Sequence, residues 1–183
     1  MAQPKLDEAV RRGLLRCARA AVAAAIGAED VLSAPGNFQS TVTLKAGAFV
    51  TLRVDGDLRG CIGYMEADRP LIEVVERCAV SAAISDPRFP ALHVAEWRGV
   101  RLEISVLGPI LPVIDVSELE LGRHGLVAEL GHRRGLLLPQ VAVEWHWDHE
   151  QFAAHTCAKA GLPEDAWRHN ARLYKFEAEV FGE

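Results

Sequence analysis

At positions 58 to 63 the chain reads Leu58-Arg59-Gly60-Cys61-Ile62-Gly63. This hexapeptide follows an apolar run from Phe49 to Val54 and the dipeptide Asp55-Gly56. An Asp-Gly dipeptide between two strand-like runs is typical of a tight hairpin turn, because both of its residues must tolerate a positive φ. The sequence therefore predicts two antiparallel strands, of which the hexapeptide forms the second.

The hexapeptide also carries a distinctive chemistry. Side chains alternate between the two faces of a strand, so Arg59 and Cys61 are expected on the same face, with Cα atoms about 7 Å apart. A guanidinium beside a thiol favours the thiolate, which attacks electrophiles and binds metals. Gly60 and Gly63 remove bulk and allow a ligand or another backbone to approach closely. We therefore predict Cys61 as a candidate nucleophile or thiol ligand, and Arg59, Gly60 and Gly63 as binding residues.

A structural interpretation of the same residues stays open. A free cysteine is among the most buried residue types and usually packs as a small hydrophobic side chain. On this interpretation the glycines permit tight packing, and Arg59 is a structural ion-pair partner.

A second charged group is predicted in the turn-rich segment that contains Asp86, Arg88 and Phe89. Charged residues on loops beside rigid elements often form sites, so Asp86 and Arg88 are predicted to contribute to binding. The alternative is that the two side chains cap and pair locally. A cysteine nucleophile also needs a general base, for which His93 and His124 are the candidates; the alternative is that both are loop histidines.

Six residues with metal-binding side chains lie close together in sequence near the C-terminus, but their spacing does not favour a metal site. His149 and His155 are six residues apart, which places them about 120° from each other around a helix. Helical zinc ligands usually stand three or four residues apart. We therefore predict no metal site among Glu144, His146, Asp148, His149, His155 and Cys157.

Composition restricts the classes of function. The chain has 183 residues, half of them hydrophobic, which suits one domain or two small lobes with a substantial core. The net charge of −5 and the absence of a basic stripe argue against a nucleic-acid partner. No apolar run approaches the roughly 20 residues of a membrane span, and the four cysteines are widely separated. We expect a cytoplasmic protein with reduced thiols.

Hydrophobic periodicity predicts the remaining elements. Helices are expected from Leu6 to Ile26, from Leu71 to Ala82 with Asp68 as its cap, and from Asp148, which forms a capping box with Gln151, to Ala160. Further predicted elements are a loop at Ala28 to Asn37, strands at Thr41 to Leu44, Val100 to Val106 and Tyr174 to Val180, and a hairpin from Leu126 to Leu138. Mixed helices and hairpins favour an α+β fold with a mainly antiparallel sheet.

Several stretches together resemble one known family. They are the hexapeptide and, in the same order as the family motifs, Gly47 to Leu52, Asp86 to Pro90, Gly135 to Ala142 and Cys157 to Pro163. On these residues the chain resembles a prokaryotic-type, single-domain member of the AMMECR family. The resemblance implies one domain over residues 1–183, with a curved, mainly antiparallel sheet, packed helices and two unequal lobes around a cleft.

The resemblance also frames the functional hypotheses. The first is a small-molecule or partner-binding module with its cleft around Leu58 to Gly63. The second is an enzyme or enzyme component that uses Cys61 as nucleophile or thiol ligand. The resemblance implies Memo-like proteins and radical S-adenosylmethionine proteins as partners in a shared pathway, and the sequence identifies no cofactor.

Overall fold

A computed structural model describes residues 5–29 and 44–183 of the chain. The chain divides into two compact units. The N-terminal unit contains the described residues from Lys5 to Leu107 together with Glu179–Glu183, and the C-terminal unit contains Gly108–Ala178. Both units combine helices with antiparallel strands, so the predicted α+β class is confirmed. Most of the predicted loop at Ala28 to Asn37 and strand at Thr41 to Leu44 lies outside the described residues.

The N-terminal unit is built on the predicted hairpin. Its helices and strands are α1 (Glu8–Ile26), β1 (Ala48–Val54), β2 (Asp57–Tyr64), α2 (Leu71–Ile84) and β3 (Val100–Leu107), with a 3₁₀ helix at Val94–Gly99. β1 pairs antiparallel with β2 on one side and with β3 on the other, which leaves β2 at the edge. The core includes Leu14, Val22, Leu52, Val75 and Ile104.

Local signals account for the turn and for both ends of α1. Asp55 and Gly56 both have positive φ, 53° and 93°, as the predicted hairpin turn requires. The Asp7 carboxylate accepts a hydrogen bond from the Val10 amide at 2.8 Å and caps the start of α1. Gly27, with φ 70°, ends the helix as predicted.

The predicted cap of α2 is wrong. The helix begins at Leu71, after Pro70, and within the described ranges it has no capping hydrogen bond from a side chain. The Asp68 carboxylate instead accepts a hydrogen bond from the Tyr64 hydroxyl at 3.0 Å. Pro70 has no amide hydrogen to satisfy, so the start of the helix needs fewer partners.

The C-terminal unit contains the second hairpin. Its elements are β4 (Leu111–Val113), β5 (His124–Leu130), β6 (Arg133–Leu137), α3 (Pro139–Glu144), α4 (His149–Lys159) and β7 (Arg172–Gly182), whose last residues belong to the N-terminal unit. β5 pairs antiparallel with β6 and β7, and β4 pairs with β7. Asp148 and Gln151 form the predicted capping box of α4. Across the described part of the chain, no helix has the length and hydropathy to cross a membrane.

Candidate functional site

β2 is interrupted by a bulge at Arg59. Leu52 of β1 faces Gly60, whereas its neighbour Arg53 faces Leu58, so Arg59 is an extra residue without a partner on β1. A bulge breaks strict alternation and re-aims a side chain. The assumption that placed Arg59 and Cys61 on one face therefore does not hold at this position.

The bulge directs the Arg59 guanidinium to the segment before β3. Its Nε and Nη2 atoms donate to the two carboxylate oxygens of Glu96 at 2.8 and 3.1 Å. The remaining donors reach the carbonyl oxygens of Pro90, at 2.7 Å, and Ala91, at 3.3 Å. Arg59 lowers the pKa of the Glu96 carboxyl. The structure thus gives Arg59 the ion pair that the structural interpretation expects, and its partner is Glu96 rather than the Cys61 thiol.

Asp86 and Arg88 bind the main chain of Cys61 at the open edge of β2. The Asp86 Oδ2 atom accepts a hydrogen bond from the Cys61 amide at 2.9 Å, and Arg88 Nη2 donates to the Cys61 carbonyl at 3.2 Å. An acidic and a basic side chain therefore supply the acceptor and the donor that the backbone of a neighbouring strand would supply. Unpaired backbone groups at a sheet edge can pair with other chains, and these two residues occupy the outward amide and carbonyl of Cys61.

The Asp86 carboxylate is buried and fully bonded. Only 2% of its side chain is exposed, and Arg88 donates to it from its amide, Nε and Nη2 atoms at 3.1, 3.0 and 2.6 Å. These bonds, with that of the Cys61 amide, hold the pKa of Asp86 well below its usual range although burial opposes the charge. The two residues predicted for binding therefore do come together with Cys61, but through its backbone.

The Cys61 thiol differs from the other three thiols. Cys61 is half-buried, and its Sγ accepts a hydrogen bond from the Thr51 hydroxyl at 3.4 Å on the facing strand. Cys17, Cys78 and Cys157 are buried. Burial raises the pKa of Cys17 and of Cys78 to about 11, and it also raises that of Cys157. Cys61 is thus the thiol that reagents can reach in the folded protein.

We expect iodoacetamide to modify Cys61 in the native protein at least about tenfold faster than Cys17, Cys78 or Cys157, because a buried thiol with a raised pKa is largely uncharged and inaccessible. Mass spectrometry of peptides from a time course gives each rate. The buried cysteines serve as internal controls and should react only after unfolding in urea. Equal protection of Cys61 would contradict its assignment as an accessible thiol.

Each candidate histidine accepts a hydrogen bond from a backbone amide of its own unit. The Nδ1 atom of His93 accepts from the Ala95 amide at 3.2 Å and starts the 3₁₀ helix. In the C-terminal unit, His124 Nδ1 accepts from the Glu120 amide at 2.9 Å. In the described ranges no group of three or more His, Cys, Asp or Glu side chains is arranged to hold a metal ion.

The glycines of the hexapeptide meet close neighbours. A Cβ on Gly60 would lie 2.0 Å from the carbonyl oxygen of Ala82 in α2, so the strand and helix approach backbone to backbone. A Cβ on Gly63 would lie 2.3 Å from the ring of Phe49. Tight packing therefore requires glycine at both positions.

Beyond the contact with Ala82, β2 and α2 line a half-open cavity of about 200 Å³, here called the β2–α2 pocket. On one side it is lined by the end of the hexapeptide and Tyr64. On the other side it is lined by residues at the 3- and 4-residue spacing of one helical face. The full lining is Ile62, Gly63, Tyr64, Arg69, Val74, Arg77, Cys78 and Ser81.

Sequence reasoning missed Glu96, the bulge and the helical side of the pocket. Glu96 lies 37 residues from Arg59, and nothing local links the two. A weak signal existed for the pocket, because Arg77 interrupts the apolar helix α2 next to its buried stripe.

Comparisons with known proteins agree with this architecture. A family model described as AMMECR1 matches residues 15–181. A protein of Methanothermobacter thermautotrophicus is 42% identical over 179 residues, which cover 94% of this chain and 93% of that protein. Protein MJ0810 of Methanocaldococcus jannaschii is 47% identical over 148 residues, covering 76% and 74%. The crystal structure of the uncharacterized protein PH0010 from Pyrococcus horikoshii matches with a TM-score of 0.88 and 38% identity, over 97% of this chain and 93% of that one.

Proposed function

The chain belongs to the AMMECR1 family, and on that premise we propose that it is a small-molecule binding module whose ligand occupies the β2–α2 pocket. The observation that carries this proposal is the pocket itself, which the end of the hexapeptide lines directly. Ligand sites are typically concave, with a mixture of apolar walls and a few convergent polar groups. Ile62 and Val74 supply apolar wall here, and Arg77 and Ser81 supply polar groups.

Three contacts hold the strand that lines the pocket. Gly60 packs on α2, and Arg59 binds both carboxylate oxygens of Glu96 through its Nε and Nη2 atoms. Asp86 and Arg88 bond the amide and the carbonyl of Cys61. A site that is rigid before binding loses less conformational entropy when a ligand arrives. This interpretation gives the hexapeptide a role in which its arginine and glycines position the pocket.

The size of the pocket restricts the ligand. At about 200 Å³ it is smaller than the 300 to 1,000 Å³ that drug-sized ligands usually occupy. We therefore expect a small compound or one terminal group of a larger compound.

An enzyme component that uses Cys61 remains the second hypothesis. The observation that favours it is a half-buried thiol beside the Thr51 hydroxyl. Within the described residues, no histidine makes a hydrogen bond to this thiol, which is why binding is the first proposal. The Memo-like and radical S-adenosylmethionine partners and the cytoplasmic location stay predictions.

A thermal-shift screen tests the binding function. Single amino acids, sugars, nucleosides, carboxylic acids and phosphate esters are added to the wild-type protein, to Ser81→Tyr, which fills the pocket, and to Ile84→Tyr, an exposed control on the same helix. A compound present at about 100 times its Kd adds about 2.7 kcal/mol of stability, which raises Tm by about 5 to 10 °C in a protein of this size.

We expect at least one compound to stabilise the wild type and Ile84→Tyr but not Ser81→Tyr. Two outcomes would contradict the proposal. The first is that no compound in the panel raises Tm, and the second is that every stabilising compound acts equally on Ser81→Tyr.

A further inference from the structure

The edge of β2 presents an unpaired backbone amide to the pocket. The amide and carbonyl of Cys61 both bond outward to Asp86 and Arg88, so Cys61 and Thr51 form a pair without mutual hydrogen bonds. Such pairs alternate along an antiparallel ladder, and the register between Cys61 and Gly63 is regular. Gly63 must therefore also direct its N–H away from β1, at the edge where it lines the pocket.

Side-chain donors lie around the same space. Within the described part of the chain, the guanidinium of Arg77 makes no ion pair or hydrogen bond, and the Ser81 hydroxyl makes no hydrogen bond. The two residues are one helical turn apart on the face of α2 that lines the pocket. With the Gly63 amide they form a set of donors that lacks an acceptor.

The Asp68 carboxylate, in the segment between β2 and α2, is already engaged. Asp68 accepts from the Tyr64 hydroxyl at 3.0 Å and lies 3.9 Å from the Arg69 guanidinium. Arg69 also lies over the Tyr64 ring, with its Cζ atom 5.6 Å from the ring centre. Glu73 is on the exposed side of α2 and does not line the pocket. Among the described residues, the pocket lining contains two arginines and no acidic side chain.

We infer that the β2–α2 pocket binds a small oxyanion, a carboxylate or a phosphate, through the Arg77 guanidinium, the Ser81 hydroxyl and the Gly63 amide. This inference rests on the proposed function and names the ligand class for the same site. Hydrogen bonds between ionised groups are the strong ones, and arginine suits the planar or tetrahedral oxygens of these anions. Ile62 and Val74 lie beside the donors, where the carbon portion of a small acid would pack.

The test is a nuclear magnetic resonance titration of ¹⁵N-labelled protein, read at the Gly63 amide. Sodium phosphate and sodium acetate are titrated separately at constant ionic strength, because salt screens unspecific attraction to exposed charge. The variants are Arg77→Gln and, as a matched control, Arg98→Gln. Arg98 is an exposed arginine of the same unit that does not line the pocket.

We expect a saturable shift of the Gly63 amide with at least one of the two anions, and the tighter one identifies the class. Arg77→Gln should raise the Kd by about tenfold or more, as expected for loss of a hydrogen bond between charged groups, whereas Arg98→Gln should leave it nearly unchanged. The inference is overturned if neither anion moves the Gly63 amide saturably, or if both variants weaken binding equally.

Failure of the inference is distinguishable from failure of the binding function. If neutral compounds from the thermal-shift screen bind and Ser81→Tyr abolishes their effect, while phosphate and acetate do not bind, the site stands and its ligand is not an oxyanion. If neither neutral compounds nor anions bind, both proposals are wrong.

Discussion

Replacing Gly60 with alanine is expected to lower the free energy of unfolding by about 3 kcal/mol or more, at the upper end of overpacking effects. The added Cβ would lie 2.0 Å from the carbonyl oxygen of Ala82 and 2.9 Å from its carbonyl carbon. Both are backbone atoms in the last turn of α2, so the clash cannot be relieved by rotating a side chain. The strand and helix must separate, and the core between them loosens.

Thermal unfolding followed by circular dichroism measures this loss. In a protein of this size 3 kcal/mol corresponds to a fall in Tm of about 6 to 12 °C. Gly99→Ala is the matched control in the same unit, because a Cβ there would meet its nearest neighbours at 3.4 Å. If Gly60→Ala unfolded at the temperature of Gly99→Ala, the backbone contact between β2 and α2 would be refuted.

Replacing Asp86 with alanine is expected to lower the free energy of unfolding by about 2 to 3 kcal/mol, because it leaves charged and backbone donors without their acceptor. The Cys61 amide loses its partner at the strand edge, and Arg88 loses three hydrogen bonds. Arg88→Ala should cost less, since half of the Arg88 side chain is exposed and Asp86 would keep two backbone donors.

Urea unfolding of both single variants and of the double variant measures these losses and the coupling between the two side chains. Asp115→Ala is the control. Its carboxylate accepts from a backbone amide at 2.8 Å as Asp86 does, but it is exposed, so its loss should be smaller. A larger loss for Arg88→Ala than for Asp86→Ala would contradict the assignment of Asp86 as the acceptor that holds this edge.

From the lowered pKa of Asp86 we predict how the stability of the protein changes with pH. In the folded protein the pKa of Asp86 lies below the ordinary carboxyl value of about 3.9. The Asp86 carboxylate therefore stabilises the fold fully above that value. This stabilisation is lost as the pH falls from the ordinary pKa toward the folded pKa. The difference in stability between the wild type and Asp86→Ala should therefore narrow between pH 5 and pH 2. If this difference stayed constant from pH 5 to pH 2, the charge of the Asp86 carboxylate would not contribute to stability.

Features that depend on neighbours in sequence could be predicted. The Asp55-Gly56 turn needs two residues that tolerate positive φ, and the ends of α1 and α4 need caps within a few residues. The spacing of apolar residues then gives helix or strand directly. The failure at Asp68 has a local cause as well, because Tyr64 competes for its carboxylate only four residues away.

The amino-acid sequence by itself determined the hairpin, the helices, the α+β class and the family resemblance, because short-range hydrogen bonding and periodicity control these features. Only the tertiary structure decided that Arg59 bonds Glu96, that Asp86 and Arg88 bind the Cys61 peptide, and that Arg77 and Gly63 line one pocket. The reason is physical: a side chain has many partners of suitable chemistry along the chain, and the packed backbone decides which of them comes within hydrogen-bonding distance.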